Sequence, residues 1–118
     1  MRSIYLFIIC LSGILCSCSR EIIIEDRKDT SPVIFPDYKD VVIPPDIAPM
    51  NFVVEDMKGK AVLKIENGAE VAYRTVRDGK VSFGKTFWSS LMEKACGDSI
   101  VFTLCVKEEG RWTGYKPF

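Results

Sequence analysis

Two dipeptides, Asn67-Gly68 and Asp78-Gly79, constrain this chain more than any other feature. Asn-Gly and Asp-Gly tolerate the positive φ angles that tight hairpin turns demand, and each stands here between segments in which apolar and polar residues alternate. Residues 61–66, 71–76 and 81–83 therefore read as three successive strands joined by tight turns. Residues 99–106 form the most apolar strand, with Ile100, Phe102, Leu104 and Val106 on one face. Glu109-Gly110 turns that strand back into residues 111–115, and Phe52, Val53 and Val54 open the ordered part as a further short strand.

One segment has helical spacing instead. Phe87, Leu91 and Ala95 recur at i, i+4 and i+8, Trp88, Met92 and Cys96 run beside them, and Ser89, Ser90, Glu93 and Lys94 fill the other side. Thr86 is the expected N-cap and Gly97 the expected stop, giving a helix of about ten residues laid on the sheet. Upstream, five of the six prolines fall between Pro32 and Pro49, which holds the backbone extended and forbids a helix. Val33, Ile34, Phe35, Tyr38, Val41, Val42 and Ile43 give that stretch too much apolar surface for a spacer, so an edge strand or packed coil is expected. The expected fold class is mainly β: a small immunoglobulin-like β-sandwich of six or seven strands with one short helix, spanning residues 35–118.

The N-terminus reads as an export signal. Arg2 supplies a positive charge, and twelve residues from Ile4 to Leu15 are apolar except for Ser12 and Gly13, too short a run to span a bilayer comfortably. The run ends in Leu15-Cys16-Ser17-Cys18, which resembles a bacterial lipobox. Cys18 follows the small Ser17 and fits the acylated position, whereas Cys16 follows the bulky Leu15 and does not. Residues 1–17 are thus expected to be a lipoprotein signal peptide, and residues 18–34, rich in mixed charges, a tether to the domain. Acyl chains on Cys18 would hold the protein to a membrane, each buried CH₂ contributing about 0.8 kcal/mol. An extended stretch of a dozen residues would lift the domain roughly 35–40 Å from it. In the folded part only Cys96 and Cys105 remain; an exported compartment allows a disulfide between them, and two free thiols packed as small hydrophobes are the alternative.

Composition narrows the chemistry. The chain has no His, which removes Ser-His-Asp and Cys-His catalysis, His-ligated zinc and covalent c-type haem from its own repertoire. Lys+Arg and Asp+Glu cancel at 16 each, so nucleic acid is not an expected partner. Gly79-Lys80-Val81-Ser82-Phe83-Gly84-Lys85-Thr86 matches a phosphate-loop pattern literally, but its interior reads as a hairpin strand and no βαβ unit follows. The carboxylates sit at turns, as solvated residues do. No catalytic residue, metal site or cofactor is expected. The rings of Trp88, Trp112, Tyr115 and Phe118 could stack on sugars, and Trp112, Tyr115 and Trp88 are the candidate ligand contacts. Core packing is the expected role of Trp88 and Trp112, and a regular strand would bury Trp112 and expose Tyr115.

The succession from Phe35 to Phe52, with Pro44-Pro45-Asp46-Ile47-Ala48-Pro49-Met50-Asn51-Phe52 as its most specific part, resembles the start of a family of Bacteroidetes envelope lipoproteins. The ending Gly110-Arg111-Trp112-Thr113-Gly114-Tyr115-Lys116-Pro117-Phe118 resembles that family's next landmark. The resemblance implies a small β domain that, in full-length members, precedes a c-type haem motif and a TolB-like β-propeller, so that this chain would be a truncated form. No haem ligand carries over. The expected function is that of a lipid-anchored envelope protein, on the outer membrane, with a non-catalytic interaction or positioning module; a glycan-binding surface module is the alternative. Its partners would be the membrane, through the lipid, and an envelope protein or glycan. Replacing Cys18 with Ala should abolish incorporation of radiolabelled lipid, while replacing Cys16 should leave it intact.

Overall fold

A computed structural model describes residues 21–118. The signal peptide and the lipobox, with Cys18, lie outside the described residues. The chain is mainly β, with eight strands and one helix among the described residues: β1 (Ile24–Arg27), β2 (Ile34–Phe35), β3 (Phe52–Val54), β4 (Lys60–Asn67), β5 (Glu70–Arg77), β6 (Lys80–Val81), α1 (Lys85–Ala95), β7 (Val101–Glu108) and β8 (Arg111–Gly114). All eight strands belong to one mixed sheet in the order β1-β8-β7-β4-β5-β6-β3-β2. The count exceeds the six or seven expected because β1 comes from the charged stretch upstream, whereas β2, at the edge of the sheet, is the edge strand expected in the proline-rich stretch.

The turns explain the antiparallel core. Asp78 and Gly79 both have positive φ, 49° and 79°, and join Arg77 to Lys80 as a glycine-second hairpin turn; Glu109 and Gly110, at 51° and 79°, do the same between Glu108 and Arg111. At the β4–β5 hairpin the register differs from the expected one. Asn67 pairs with Glu70, so the central residues are Gly68 and Ala69, and only Gly68 is left-handed, at 57°. That is the arrangement in which glycine takes the first central position.

The sheet folds over on itself. β7 and β3 are four strand spacings apart in the sheet order, which would separate them by about 19 Å in a flat sheet. Yet the rings of Phe52 on β3 and Phe102 on β7 have centroids 6.1 Å apart. The bend occurs at Asp78-Gly79: β6 pairs with β5 only at Arg77 and Lys80, then leaves it to pair with β3. The core lies inside the curl. Leu63, Ile65, Val76 and Leu104 come from the central strands, Phe52, Val54, Val81 and Ile34 from the folded-over part, and Trp88, Leu91 and Met92 from α1. Phe102, Leu104 and Val106 share the core face of β7 as the alternation requires, and Ile100, just before the strand, packs against the core with them.

The helix differs from expectation at its start. Gly84, not Thr86, is the N-cap: with φ 70° it turns the chain, and its carbonyl accepts from the Trp88 N–H at 3.1 Å, closing the first turn. No side chain caps this end. Gly97, at φ 79°, terminates the helix as expected, and Cys96 leaves helical geometry with ψ 121°, so it drops out of the row begun by Trp88 and Met92.

Part of the stretch read as a tether is a strand. β1 pairs in parallel with β8, and the reason is Gly114: a Cβ there would lie 3.1 Å from Ile24 Cγ2, so the missing side chain makes room for Ile24. The Lys28 N–H donates to the Gly114 carbonyl at 2.8 Å, and Lys28 Nζ pairs with Glu108 at 3.0 Å. The hydrogen bond to Glu108 holds the Lys28 amine above its usual range. That pair is exposed and contributes little on its own.

Gly79 carries the heaviest constraint. A Cβ on it would meet the Val54 carbonyl oxygen at 2.2 Å, whereas a Cβ on Gly68 meets nothing within 4 Å. In urea melts Gly79→Ala should cost at least about 3 kcal/mol, because β3 must move as well as the backbone strain. Gly68→Ala, with backbone strain alone, should cost about 1–2 kcal/mol.

Candidate functional site

The curl leaves a cleft at its mouth, between the proline-rich loop on one side and the α1–β7 connection on the other. Its volume is about 600 Å³, the size of a small-molecule site. The floor is aromatic: Phe52, Phe102, Phe118 and Trp88 line it. Phe52 is 6.1 Å from both Phe102 and Phe118, and Phe102 and Phe118 are 5.7 Å apart. Phe118 is fixed by a reciprocal backbone pair with Phe102, its N–H donating at 3.0 Å and its carbonyl accepting at 2.7 Å.

Sequence explains each wall. Proline prevents the loop from joining a helix or a sheet ladder, and turn bonds hold it instead: Ile47 N–H to the Pro44 carbonyl at 3.2 Å, and Tyr38 N–H to the Pro36 carbonyl at 3.0 Å. Trp88 pins the loop to the helix. Its ring is only 3% exposed and its indole N–H donates to the Ile47 carbonyl at 2.9 Å. Asn51, where the loop meets β3, accepts from the Phe83 N–H through its Oδ1 at 3.0 Å. The outer lip of the loop is apolar and open, with Val42 fully exposed and Val41 half exposed. Asp40 and Asp98 are the charged residues of the lining. Asp98 Oδ1 accepts from the Ser99 N–H at 2.7 Å.

Of the three aromatic contacts expected from sequence, Trp88 alone reaches this cleft. Trp112 and Tyr115 lie on opposite faces, as their separation of three requires, but with the faces exchanged. The β7–β8 register sets Trp112 opposite Lys107 and Gly114 opposite Cys105, on the face away from the core, so Trp112 is half-buried there with Lys107 Nζ 5.9 Å from its ring centroid. Thr113, 4% exposed, points to the core in its place. Tyr115 packs against the core, and Lys28 Nζ sits 4.7 Å from its ring centroid. The three rings form no common platform. Phe118, also named from sequence as a ring that could stack on a sugar, lines the cleft as well, whereas Phe52 and Phe102 were not singled out; the surplus of apolar residues in the proline-rich loop was the available signal.

The phosphate-loop pattern dissolves into structural parts. Gly79 is a hairpin turn, Val81 and Phe83 are buried, and Gly84 starts α1. Arg74 closes that corner: it donates to the Phe83 carbonyl at 3.1 Å and stacks 3.8 Å from the Phe87 ring centroid, with its Nε buried and unpartnered. Among the described residues no group of three or more Cys, Asp or Glu is placed to hold a metal ion, and no helix is long and apolar enough to cross a membrane.

No protein-family model, curated protein or solved structure matches the chain.

The two cysteines of the described residues, Cys96 and Cys105, are both free. Cys96 is exposed at the end of α1, whereas Cys105 points away from the core face of β7 and is fully buried. Burial pushes the Cys105 thiol above its usual range, Lys64 and Arg27 opposing the shift. Under native conditions a thiol reagent should therefore label Cys96 quickly and Cys105 only after denaturant is added. Because the folded pKa is raised, Cys105 contributes no penalty below the pKa of an unfolded thiol, about 8.5. As pH rises beyond that value the unfolded state ionises first, and stability should fall. Cys105→Ser, which does not ionise there, should flatten that alkaline decline in pH-dependent urea melts.

Proposed function

We propose that the chain is a lipid-anchored protein of the bacterial cell envelope, held at the outer membrane through Cys18, whose folded part is a non-catalytic interaction module that binds through the aromatic cleft. The lipobox-like Leu15-Cys16-Ser17-Cys18 supports the anchor, and the resemblance of residues 35–118 to the β domain of Bacteroidetes envelope lipoproteins supports the location. In this reading the curl is an immunoglobulin-like sandwich, with β2, β3 and β6 as one layer facing β4, β5, β7 and β8.

The cleft carries the binding assignment. Four aromatic side chains converge on one cavity of about 600 Å³ whose outer lip keeps Val41 and Val42 exposed. Rings and aliphatic lips supply contact, not chemistry. A chain without His has no imidazole to activate the Ser99 hydroxyl at the rim. A sugar platform is the weaker reading, because Trp112 and Tyr115 project from opposite faces and the Trp88 ring is closed over.

The test uses a neutral apolar probe, N-phenyl-1-naphthylamine, with the purified full chain carrying Trp112→Phe, so that Trp88 is the one tryptophan donor. Emission sensitised through Trp88 should rise saturably to one probe per chain. Ser99→Phe, at an exposed position of the cleft lining, should abolish the signal with no loss of thermal stability. Absence of saturation, or equal binding by the filled variant, would overturn the assignment.

A further inference from the structure

We propose that the cleft selects a small organic cation with an apolar body, an alkylated ammonium carrying a short hydrocarbon chain. The proposal rests on reading the cleft as a binding site and adds the charge and shape of the occupant. Three features of the lining point the same way.

The first is the kind of surface offered. The floor presents Phe52, Phe102 and Phe118, which have no polar atom, and Trp88, whose single donor is already spent on the Ile47 carbonyl. Phe52 and Trp88 are almost fully buried, so Phe102 and Phe118, both half-buried, are the rings that give surface to an occupant, and neither carries a hydrogen-bond donor. An alkylated ammonium needs nothing else from them, because the cation is attracted by the negative face of an aromatic ring and its methyl groups are satisfied by apolar contact.

The second is charge. The ionised lining residues are Asp40 and Asp98, and neither Lys nor Arg lines the cleft. Asp98 is held in place by its bond from the Ser99 N–H, and Asp40 stands exposed at a left-handed turn with φ 53°. An anion would meet two carboxylates at the rim, while a cation meets two counter-charges, an attraction that salt weakens because both carboxylates are exposed. Neither carboxylate forms an ion pair within the described residues.

The third is that one ring of the floor already attracts an ammonium. Lys39 Nζ lies 5.6 Å from the Phe118 ring centroid while donating to the Pro32 carbonyl. Lys39 is outside the lining, so its charge partly offsets that of Asp40 without occupying the cavity. The balance remains negative.

Size limits the occupant. A cavity of about 600 Å³, open along the Val41–Val42 lip, accommodates a small amphiphile with its chain along the lip and its head over the rings.

Displacement of N-phenyl-1-naphthylamine from the full chain carrying Trp112→Phe tests the proposal with three hexyl compounds that differ in the head: hexyltrimethylammonium, hexanol and hexanoate. The cation should displace the probe about tenfold more effectively than the alcohol, and hexanoate should be the weakest. Asp40→Asn with Asp98→Asn should remove about tenfold of the cation's advantage over hexanol, each displacement being referred to the variant's own probe affinity. Lys39→Met should strengthen the cation. Equal displacement by cation and alcohol, or an advantage that survives the double substitution, would overturn the cation proposal while leaving the cleft a binding site. Failure of the probe to bind would overturn both.

Discussion

The contact of Phe52 with three other rings is the interaction on which the architecture depends. Phe52 sits on a three-residue strand that pairs with its neighbours through two residues on each side, too few ladder bonds to hold a strand in place. Its ring, 4% exposed, lies 6.1 Å from Phe83, Phe102 and Phe118 alike. Burying a ring of that size contributes about 1.5–3 kcal/mol, and aromatic pairs add roughly 0.5–1.5 kcal/mol each. That cluster makes the fold-over of β3 and β6 favourable; without it Leu63, Ile65 and Leu104 would face water on the side now covered. The hinge must be glycine for a separate reason. The Val54 carbonyl crosses the backbone at Gly79 with no room for a methyl group, so the residue that turns the hairpin also lets β3 approach.

The cleft follows from the same fold-over. A curled sheet closes along its length but not at its mouth, where the strands end and connecting loops must cover the rings. Here the cover is the proline-rich segment after β2, residues 36–51, which lies outside the ladder and meets the core through Tyr38, Ile43, Ile47 and Met50. The rings are therefore shared between two roles. Phe52 and Phe102 stabilise the interior with one part of their surface and line the cavity with another.

What the sequence made legible was local. Asp78-Gly79 and Glu109-Gly110 impose their turns through their own φ preferences, the face of β7 follows from alternation, and α1 follows from its apolar rows. Misreadings arose where a distant partner decided. The Asn67-Gly68 turn slid by one residue because the β4–β5 register sets Asn67 opposite Glu70. Thr86 lost the cap to Gly84, whose left-handed backbone turns the chain from β6 into the helix. Ile24 became part of a strand because Gly114, ninety residues later, leaves room for it. Trp112 faces outward because its strand pairs Cys105 with Gly114, a register that composition does not encode. The cleft was the least legible feature, since its lining comes from the proline-rich loop, β3, α1, β7 and the residues after β8, and no single window contains more than a part of it.

The two sides of the cleft are unequally built, and this bears on how an occupant is accommodated. β7 is buried on both faces at its middle: Leu104 toward the core, Thr103 and Cys105 toward the opposite side, beneath the layer that includes Ile24. It pairs with β4 over five residues and with β8 over four, and Phe118 locks Phe102 through two backbone bonds. That wall opens only when the sheet does. The facing loop has turn bonds of its own and one indole bond from Trp88, and its outer residues Val41 and Val42 touch little. Segments with few buried contacts and few backbone bonds open at lower free energy than the core. If the cleft binds as proposed, occupants of differing size would be fitted by displacement of residues 40–42, while the geometry of the rings stays fixed by the fold.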